Sequence, residues 1–315
     1  MKAIVCNDFG PIQNIEYKDV NEPIIQDESV IINVKSVGVN FPDGLLVQGK
    51  YQLKPDTPFI PGMEVAGEIV KIGPSVLNLK IGDRVAALSQ LSGYAEQAVV
   101  QEKSVFKIPS KMSFDDSCAL LCAYGTSHYA LKQRANLKKN ELLVVLGASG
   151  STGIAAIQIG KIMGAKVIAV SSNSEKQKIA KDNGADISIG YDNLKEELKS
   201  ISNGKGIDVI FDPVGGDIFD TVARTMARSG RLLVIGFASG TIPKLAVNLA
   251  LVKEFSVVGV FWGAFTRSEP IEYKQNMIEL FNWYKEGLLK PLIQDSYPLS
   301  EAAVVLEKIL ARGAK

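Results

Sequence analysis

From Leu142 to Phe237 the sequence alternates short apolar runs with helix-like segments, and this alternation limits the possible folds more than any other feature. Leu142–Leu146, Lys166–Val170, Ile187–Ile189, Val209–Phe211 and Arg231–Phe237 are strand-sized. Between them, Gly153–Met163, Ser174–Asn183, Leu194–Ile201 and Asp217–Met226 read as helices. Strands separated by helices need crossover connections, which implies a parallel sheet with helices on its faces. A further strand, Val257–Trp262, and helical stretches Tyr273–Glu286 and Ser300–Leu310 follow.

The first 110 residues have another texture. Val30–Val37 and Val65–Ile72 alternate or run apolar, and Pro61-Gly62, Gly73-Pro74 and Gly82-Asp83 separate such runs. Short strands at this spacing suggest a compact antiparallel barrel or sandwich. Phe114–Leu131 has apolar residues at helical spacing and reads as one or two helices. A chain of 315 residues is long enough for two domains. Its formal charge of +1 gives no electrostatic reason to expect nucleic acid or anionic lipid as a partner. No apolar run is long enough to span a membrane, and Met1–Asp8 reads as a strand rather than a signal peptide. Three cysteines make no disulfide framework, so a reducing, cytoplasmic setting is expected.

The sharpest local motif joins the first parallel strand to its helix: Gly147-Ala148-Ser149-Gly150-Ser151-Thr152-Gly153. Glycines at this spacing let the turn close and let backbone N–H groups approach a pyrophosphate at the helix N-terminus. The same spacing also suits a plain strand-to-helix turn, but the flanking strand, helix and second strand favour a dinucleotide site. In an NAD-binding site the second strand usually ends in a carboxylate that accepts the ribose 2′-hydroxyl. Here it ends Val170-Ser171-Ser172-Asn173, with Lys176 shortly after. Hydroxyls and a cation suit the 2′-phosphate of NADPH, although Lys176 also reads as a solvated lysine at a helix start.

Other segments make the chain resemble a known family. They are Gly38–Asp43, Gly49-Lys50-Tyr51, Pro61–Gly67, Gly82–Val85, Ala148–Gly153 with Gln158, and Gly230-Arg231. In this order they resemble the zinc-free quinone oxidoreductase, zeta-crystallin-like branch of the medium-chain dehydrogenase/reductase superfamily. The resemblance implies an α/β fold: a Rossmann doubly wound parallel-sheet domain over 123–257 and a GroES-like β-barrel catalytic domain over 1–122, completed by 258–315. It implies NADPH held by Ser149, Gly150, Ser151, Thr152 and Gly153, with Ser172, Lys176, Tyr191 and Arg312 around the 2′-phosphate. Thr126, Val214, Gly236, Phe237, Ala238, Phe261, Trp262 and Gly263 are expected along the rest of the cofactor. Asn40, Asp43 and Tyr51 are the polar residues of the matching active-site wall. Relatives usually carry Gly-Gly-Val-Gly where this chain has Gly150–Gly153, and they continue past the equivalent of Lys315 with a short strand.

Zinc-dependent members of the superfamily carry ligands at positions that fall on Asn40, Met63 and Cys122, and a catalytic zinc needs three protein ligands. One thiol does not make such a site, so no metal is expected. Without a Lewis acid, hydride transfer is matched to an electron-poor acceptor, either a quinone or an enone. An enoyl thioester reductase and a non-catalytic, NADPH-binding crystallin-type protein are the competing readings. Asp43 reads as a loop-holding residue, Asn40 as orienting substrate or the nicotinamide amide, and Tyr51 as packing or donating a proton. Cys118 and Cys122 read as small buried side chains, and His128 as a helix-surface or domain-interface residue. The apolar stretch 255–262 falls at the expected sheet edge, and an exposed edge of that kind predicts a homodimer.

Overall fold

The computed structural model describes residues 1–313, apart from the side chain of Arg312, so the expected phosphate contact of Arg312 lies outside the described residues. The chain divides into two compact units, Met1–Cys122 with Ile293–Lys315, and Ala123–Leu292.

The first unit holds seven strands: β1 (Lys2–Val5), β2 (Glu16–Asp19), β3 (Ser29–Val37), β4 (Glu64–Ile72), β5 (Arg84–Leu88), β6 (Gln97–Gln101) and β7 (Val105–Lys107). β1 and β2 form a hairpin-like pair, and the others an antiparallel sheet in the order β6-β3-β4-β5-β7. Register shifts between Ile31 and Ile32 and between Val34 and Ser36 bend β3, as bulges do. Val30, Ile32, Val65, Ile69, Val85, Ala98 and Val100 fill one core of this unit. A second core gathers Ile4, Cys6, Leu46, Val47, Phe59, Tyr94, Ala302 and Leu306. The C-terminal helix Ala302–Gly313 therefore belongs to this unit. It lies so close to the helix Phe41–Val47 that a Cβ on Gly44 would stand 2.9 Å from Leu310 Cδ1.

The landmark Gly82-Asp83-Arg84 is scaffolding. Asp83 takes the Lys80 N–H and pairs with Lys107, and Arg84 donates to the Pro109, Ser110 and Met112 carbonyls while lying over Phe114.

The second unit is a six-stranded parallel sheet: β8 (Leu142–Leu146), β9 (Lys166–Val170), β10 (Ile187–Ile189), β11 (Ile207–Asp212), β12 (Met226–Val234) and β13 (Ser256–Gly259). Their order, β10-β9-β8-β11-β12-β13, is that of a dinucleotide-binding fold and reverses direction between β8 and β11. Leu143–Leu146 are wholly buried, which explains the unbroken apolar run: a strand covered on both faces shows no alternation. Arg231 donates from both terminal nitrogens to Glu141, at 2.9 and 2.7 Å, and from Nε to the Ala135 carbonyl.

Three expectations need correction. Residues 258–292 fall in the second unit rather than the first. The expected strand Val257–Trp262 stops at Gly259, and a helix, Trp262–Ser268, begins where the strand was to end. One set of contacts explains both. Trp262 is turned inward over Gly125, where a Cβ would lie 2.6 Å from its Cζ2, and meets Tyr273 edge-on, while Phe265 stacks on Tyr129. The third correction removes one of the two readings of His128, the helix surface: the ring is fully buried, with Glu279 and Trp283 against it.

The helical spacing of Phe114–Leu131 is realised as α-helical pieces, Phe114–Ala119 and Gly125–Tyr129, followed by wider π-helical turns at Leu120–Tyr124 and Ala130–Arg134. Among the described residues no helix is long and apolar enough to cross a membrane.

Candidate active site

In the second unit the expected cofactor residues cluster at the carboxyl ends of the strands, beside the β8–β11 reversal where ligands bind in folds of this kind. Gly147 ends β8 at a φ of +57°, a conformation that glycine adopts without strain, and its carbonyl accepts the Gly150 N–H at 3.0 Å. A Cβ on Gly153 would stand 2.6 Å from the Gly147 oxygen and 2.8 Å from Ala148 Cα, so only glycine lets the helix Ser151–Ile162 start this close to the strand. No acidic side chain lies in the first turn of that helix and no side chain caps it. Its N–H groups are therefore placed to meet an anion. Ser127 Oγ donates to the Thr152 carbonyl at 2.9 Å, and Thr126 precedes it in the helix Gly125–Tyr129.

Around the end of β9, Ser172 is exposed and Lys176 Nζ lies 3.3 Å from its Oγ. The Asn173 side chain caps the following helix by accepting the Lys176 N–H. Tyr191 was expected at the phosphate. Its hydroxyl accepts the Gly147 N–H at 3.1 Å, and its ring packs on the sheet core, so it braces the glycine turn. Val214 stands across from the same glycine, since a Cβ on Gly147 would be 3.1 Å from Val214 Cγ2. The loops after β11 and β12 are tied together through Ala238 N–H on the Pro213 carbonyl and Ser239 N–H on the Val214 carbonyl. Gly236 and Ala238 are half-buried, while Phe237 and Phe261 are exposed. Trp262 is buried against Gly125, and Gly263 follows it into the helix.

Asp212, which the sequence reading passed over, anchors this region. It is buried, and its Oδ1 takes the N–H groups of Val214 and Gly215 at 2.8 and 2.9 Å. Burial pushes its carboxyl up despite those two donors.

The first unit builds its polar cluster from side chains. Asn40 caps the helix Phe41–Val47 with its backbone, whose N–H donates to Asp43 Oδ2 at 2.8 Å. Asn40 and Asp43 form a capping box at the start of this helix, and Asn40 Nδ2 donates to Glu64 Oε1 at 2.7 Å. Asp43 is fully buried, and its Oδ2 also accepts from the Tyr94 hydroxyl at 2.9 Å. Burial pushes Asp43 up to about 7, although the Asn40 and Tyr94 donors pull the other way. Glu64 is likewise pushed up to about 7, by burial first and by the Asp43 charge in addition. Tyr51 packs, half-buried, against the apolar core of Ile4, Leu46, Val47 and Phe59.

Glu64 and Tyr94 were missed, and each had a signal. Glu64 is an acidic residue opening an apolar strand, a place where charge is rare. Tyr94 is written into Gly62, where a Cβ would lie 2.4 Å from the tyrosine ring.

The same cluster tests the fit of a catalytic zinc. Of the three corresponding positions, Asn40 has its amide nitrogen on Glu64, Met63 offers only a thioether, and Cys122 Sγ lies 4.0 Å from Met63 Sδ. Among the described residues no group of three or more His, Cys, Asp and Glu side chains is placed to hold a metal ion. These side chains do not fit that ion.

Comparison with known proteins now bears on the fold and the site together. Residues 26–110 match the family described as alcohol dehydrogenase GroES-like domain, and residues 151–283 match the one described as zinc-binding dehydrogenase. A quinone oxidoreductase-like protein 2 homolog from Nematostella vectensis is 37% identical, covering 99% of this chain and 86% of that protein. The human quinone oxidoreductase is 33% identical over 98% of this chain and 94% of its own. Among solved structures, the Escherichia coli quinone oxidoreductase complexed with NADPH superposes with a TM-score of 0.92 at 26% identity, covering 99% of this chain and 97% of that one. The glycine turn, the reversal of strand order and likeness along the full length lead to one conclusion: this chain belongs to the quinone oxidoreductase-like oxidoreductases of the medium-chain dehydrogenase/reductase superfamily.

Proposed function

We propose that this chain is an NADPH-dependent reductase that delivers hydride to a quinone or an α,β-unsaturated carbonyl compound without zinc. The observation that carries the cofactor choice is the end of β9, where Lys176 Nζ stands 3.3 Å from Ser172 Oγ and no carboxylate takes the place of the ribose acceptor. A cation and hydroxyls recognise a 2′-phosphate, and a carboxylate would repel it. The related Escherichia coli enzyme was solved with NADPH, which supports the same reading. The turn fits a dinucleotide because Gly153 lets a helix with no side-chain cap and no acid in its first turn start directly against Gly147 and Ala148.

When bound, NADPH would supply the hydride from its nicotinamide ring. The chain's own residues do the rest. Ser151, Thr152 and Gly153 hold the pyrophosphate through backbone N–H groups, and Ser172 and Lys176 hold the 2′-phosphate. Asn40 orients what lies beside it, Asp43 keeps the Asn40 loop and Tyr94 in place, and Tyr51 forms part of the wall. Reduction of an enone leaves an enolate that needs donors and a proton, whereas a reduced quinone takes its protons from water. The unit of residues 1–122 acts as the catalytic domain and the parallel-sheet unit as the cofactor domain. Buried Cys6 and Cys118 suit a reducing, cytoplasmic setting.

The test is steady-state oxidation of NADPH with a panel of quinones, enones and enoyl-CoA esters, before and after chelation. Turnover of quinones or enones that survives chelation is expected. Turnover of enoyl-CoA alone would make it a thioester reductase, and no turnover at all would leave an NADPH-binding protein.

We infer a homodimer as well. β13 is the last strand of its sheet, and Val257 is 40% exposed on it, with Leu251 and Val252 each 78% exposed just before it. An open apolar edge of this kind is normally covered. Light scattering at micromolar concentration should give twice the chain mass; a monomer would contradict the proposal.

A further inference from the structure

We propose that Gln158 is a positioning residue: it couples dinucleotide binding at the glycine turn to the order of the two segments by which the chain enters and leaves the parallel-sheet unit. The proposal rests on the reading of that turn as a dinucleotide site.

The chain enters this unit at Ala123 and leaves it at Leu292. Tyr124 follows the first point directly, Lys290 lies just before the second, and one buried amide holds both. Gln158 Oε1 accepts the Tyr124 hydroxyl at 3.0 Å and the Lys290 N–H at 3.1 Å. Its Nε2 donates to the Lys290 carbonyl at 2.9 Å and to Asn183 Oδ1 at 3.0 Å. A glutamine amide has two lone pairs on its oxygen and two N–H groups, so every one of them is used. With Lys290 it makes the reciprocal pair of bonds that two residues exchange across an antiparallel ladder. Lys290 lies in neither strand nor helix, and Pro291 after it has no N–H, so this side chain supplies the ladder that the exit segment lacks. On the entry side, Tyr124 is buried and closes the π-helical turn Leu120–Tyr124.

Gln158 joins these segments to both helices that carry the proposed cofactor residues. It lies about two turns into Ser151–Ile162, whose first N–H groups face the pyrophosphate in that reading. Asn183 ends the helix Ser174–Asp182, which carries Lys176. The Asn183 Nδ2 donates to the Ile179 carbonyl at 2.9 Å, which leaves its oxygen for Gln158. A phosphate held at a helix start restricts the motion of that helix. A buried amide with every group bonded passes the restriction to its partners.

Hydrogen exchange of the full chain, with and without NADPH, tests this. In the wild-type protein NADPH should slow exchange in 147–154 and, by about fivefold, in 288–292, which contains none of the expected cofactor residues. Gln158→Met keeps the bulk and removes the amide. Without NADPH its exchange should be about fivefold faster in 123–126 and 288–292, the scale of one or two hydrogen bonds. With NADPH it should still be protected in 147–154 and no longer in 288–292. Protection kept at the turn separates lost coupling from general loosening. Tyr124→Phe keeps the ring and removes one bond, so exchange should rise in 123–126 while NADPH still protects 288–292.

Three results would overturn the proposal: no NADPH protection of 288–292 in the wild type, undiminished protection there in Gln158→Met, or protection lost in 147–154 as well. If Gln158→Met does not fold, Tyr124→Phe decides, and unchanged exchange in 123–126 would overturn it. If NADPH leaves 147–154 unprotected in the wild type, the dinucleotide reading fails by itself. The ligand-free rates of Gln158→Met then decide whether Gln158 holds the two segments.

Discussion

In the parallel-sheet unit the groups of the proposed site are largely backbone, shaped by Gly147, Gly150 and Gly153 and braced by Tyr191 and Asp212. In the antiparallel unit they are side chains drawn from distant segments: Asn40, Asp43, Glu64 and Tyr94 bond to one another in a nearly dry interior. A backbone site depends on where a Cβ would clash, and its residues lie together in sequence. A side-chain site depends on each donor finding its acceptor, and its residues are assembled only by the fold. The two should therefore fail differently when a single atom group is changed.

The largest effect is expected in the antiparallel unit. Asp43→Ala leaves the Tyr94 hydroxyl and the Asn40 N–H without their shared acceptor in a buried place. Breaking such a network should lower stability by about 3 kcal/mol, read from chemical denaturation. Gly153→Ala makes the contrasting change. Its new Cβ meets the Gly147 carbonyl and Ala148 backbone, an overpacking of about 1–3 kcal/mol, and the turn must open. Dinucleotide affinity should drop sharply, while hydrogen exchange in residues 1–122 stays as in the wild type. Loss of binding in Asp43→Ala with full stability, or the reverse pattern in Gly153→Ala, would break the comparison.

A smaller effect separates the units by pH. Asp43 and Glu64 are raised from ordinary values of 3.8 and 4.5 to about 7, so the folded state holds more protons between those limits. Their contribution to stability is complete below pH 4 and is lost as pH rises through about 7. His128 runs the other way. Burial lowers it from 6.5 to about 4, so its contribution is present above pH 6.5 and is lost as pH falls through about 4. Raising the pH from 5 to 7.5 should then loosen residues 1–122 and steady residues 123–292. Hydrogen exchange corrected for its intrinsic pH dependence reads both at once, and a common direction in the two units would contradict the assignment.

The same contrast explains what was legible in the sequence. Unbroken apolar runs and a glycine turn are local patterns, and they located the parallel sheet, its helices and the cofactor loop. The landmark segments located the first unit, but several of them mark scaffolding: Arg84 and Arg231 hold carbonyls and Glu141. Gly38 and Gly62 were visible as glycines; that they make room for Glu64 and Tyr94 was not, because those partners lie more than 20 residues away and meet only once the chain has folded. Trp262 misled for a related reason. Val257–Trp262 has strand composition throughout, and only the bare Cα of Gly125, far back in the chain, draws the tryptophan out of the strand and into the core. The run 258–292 followed it into the second unit.

The central claim is that the end of β9 selects NADPH through Ser172 and Lys176. Fluorescence titration of the wild-type protein and Lys176→Ala with NADPH and NADH tests it most directly. A charge-assisted hydrogen bond to phosphate contributes about 1.5–3 kcal/mol, so Lys176→Ala should weaken NADPH by about tenfold or more and leave NADH nearly unchanged. Equal affinity of the wild-type protein for the two cofactors, or an equal loss for both in Lys176→Ala, would contradict it.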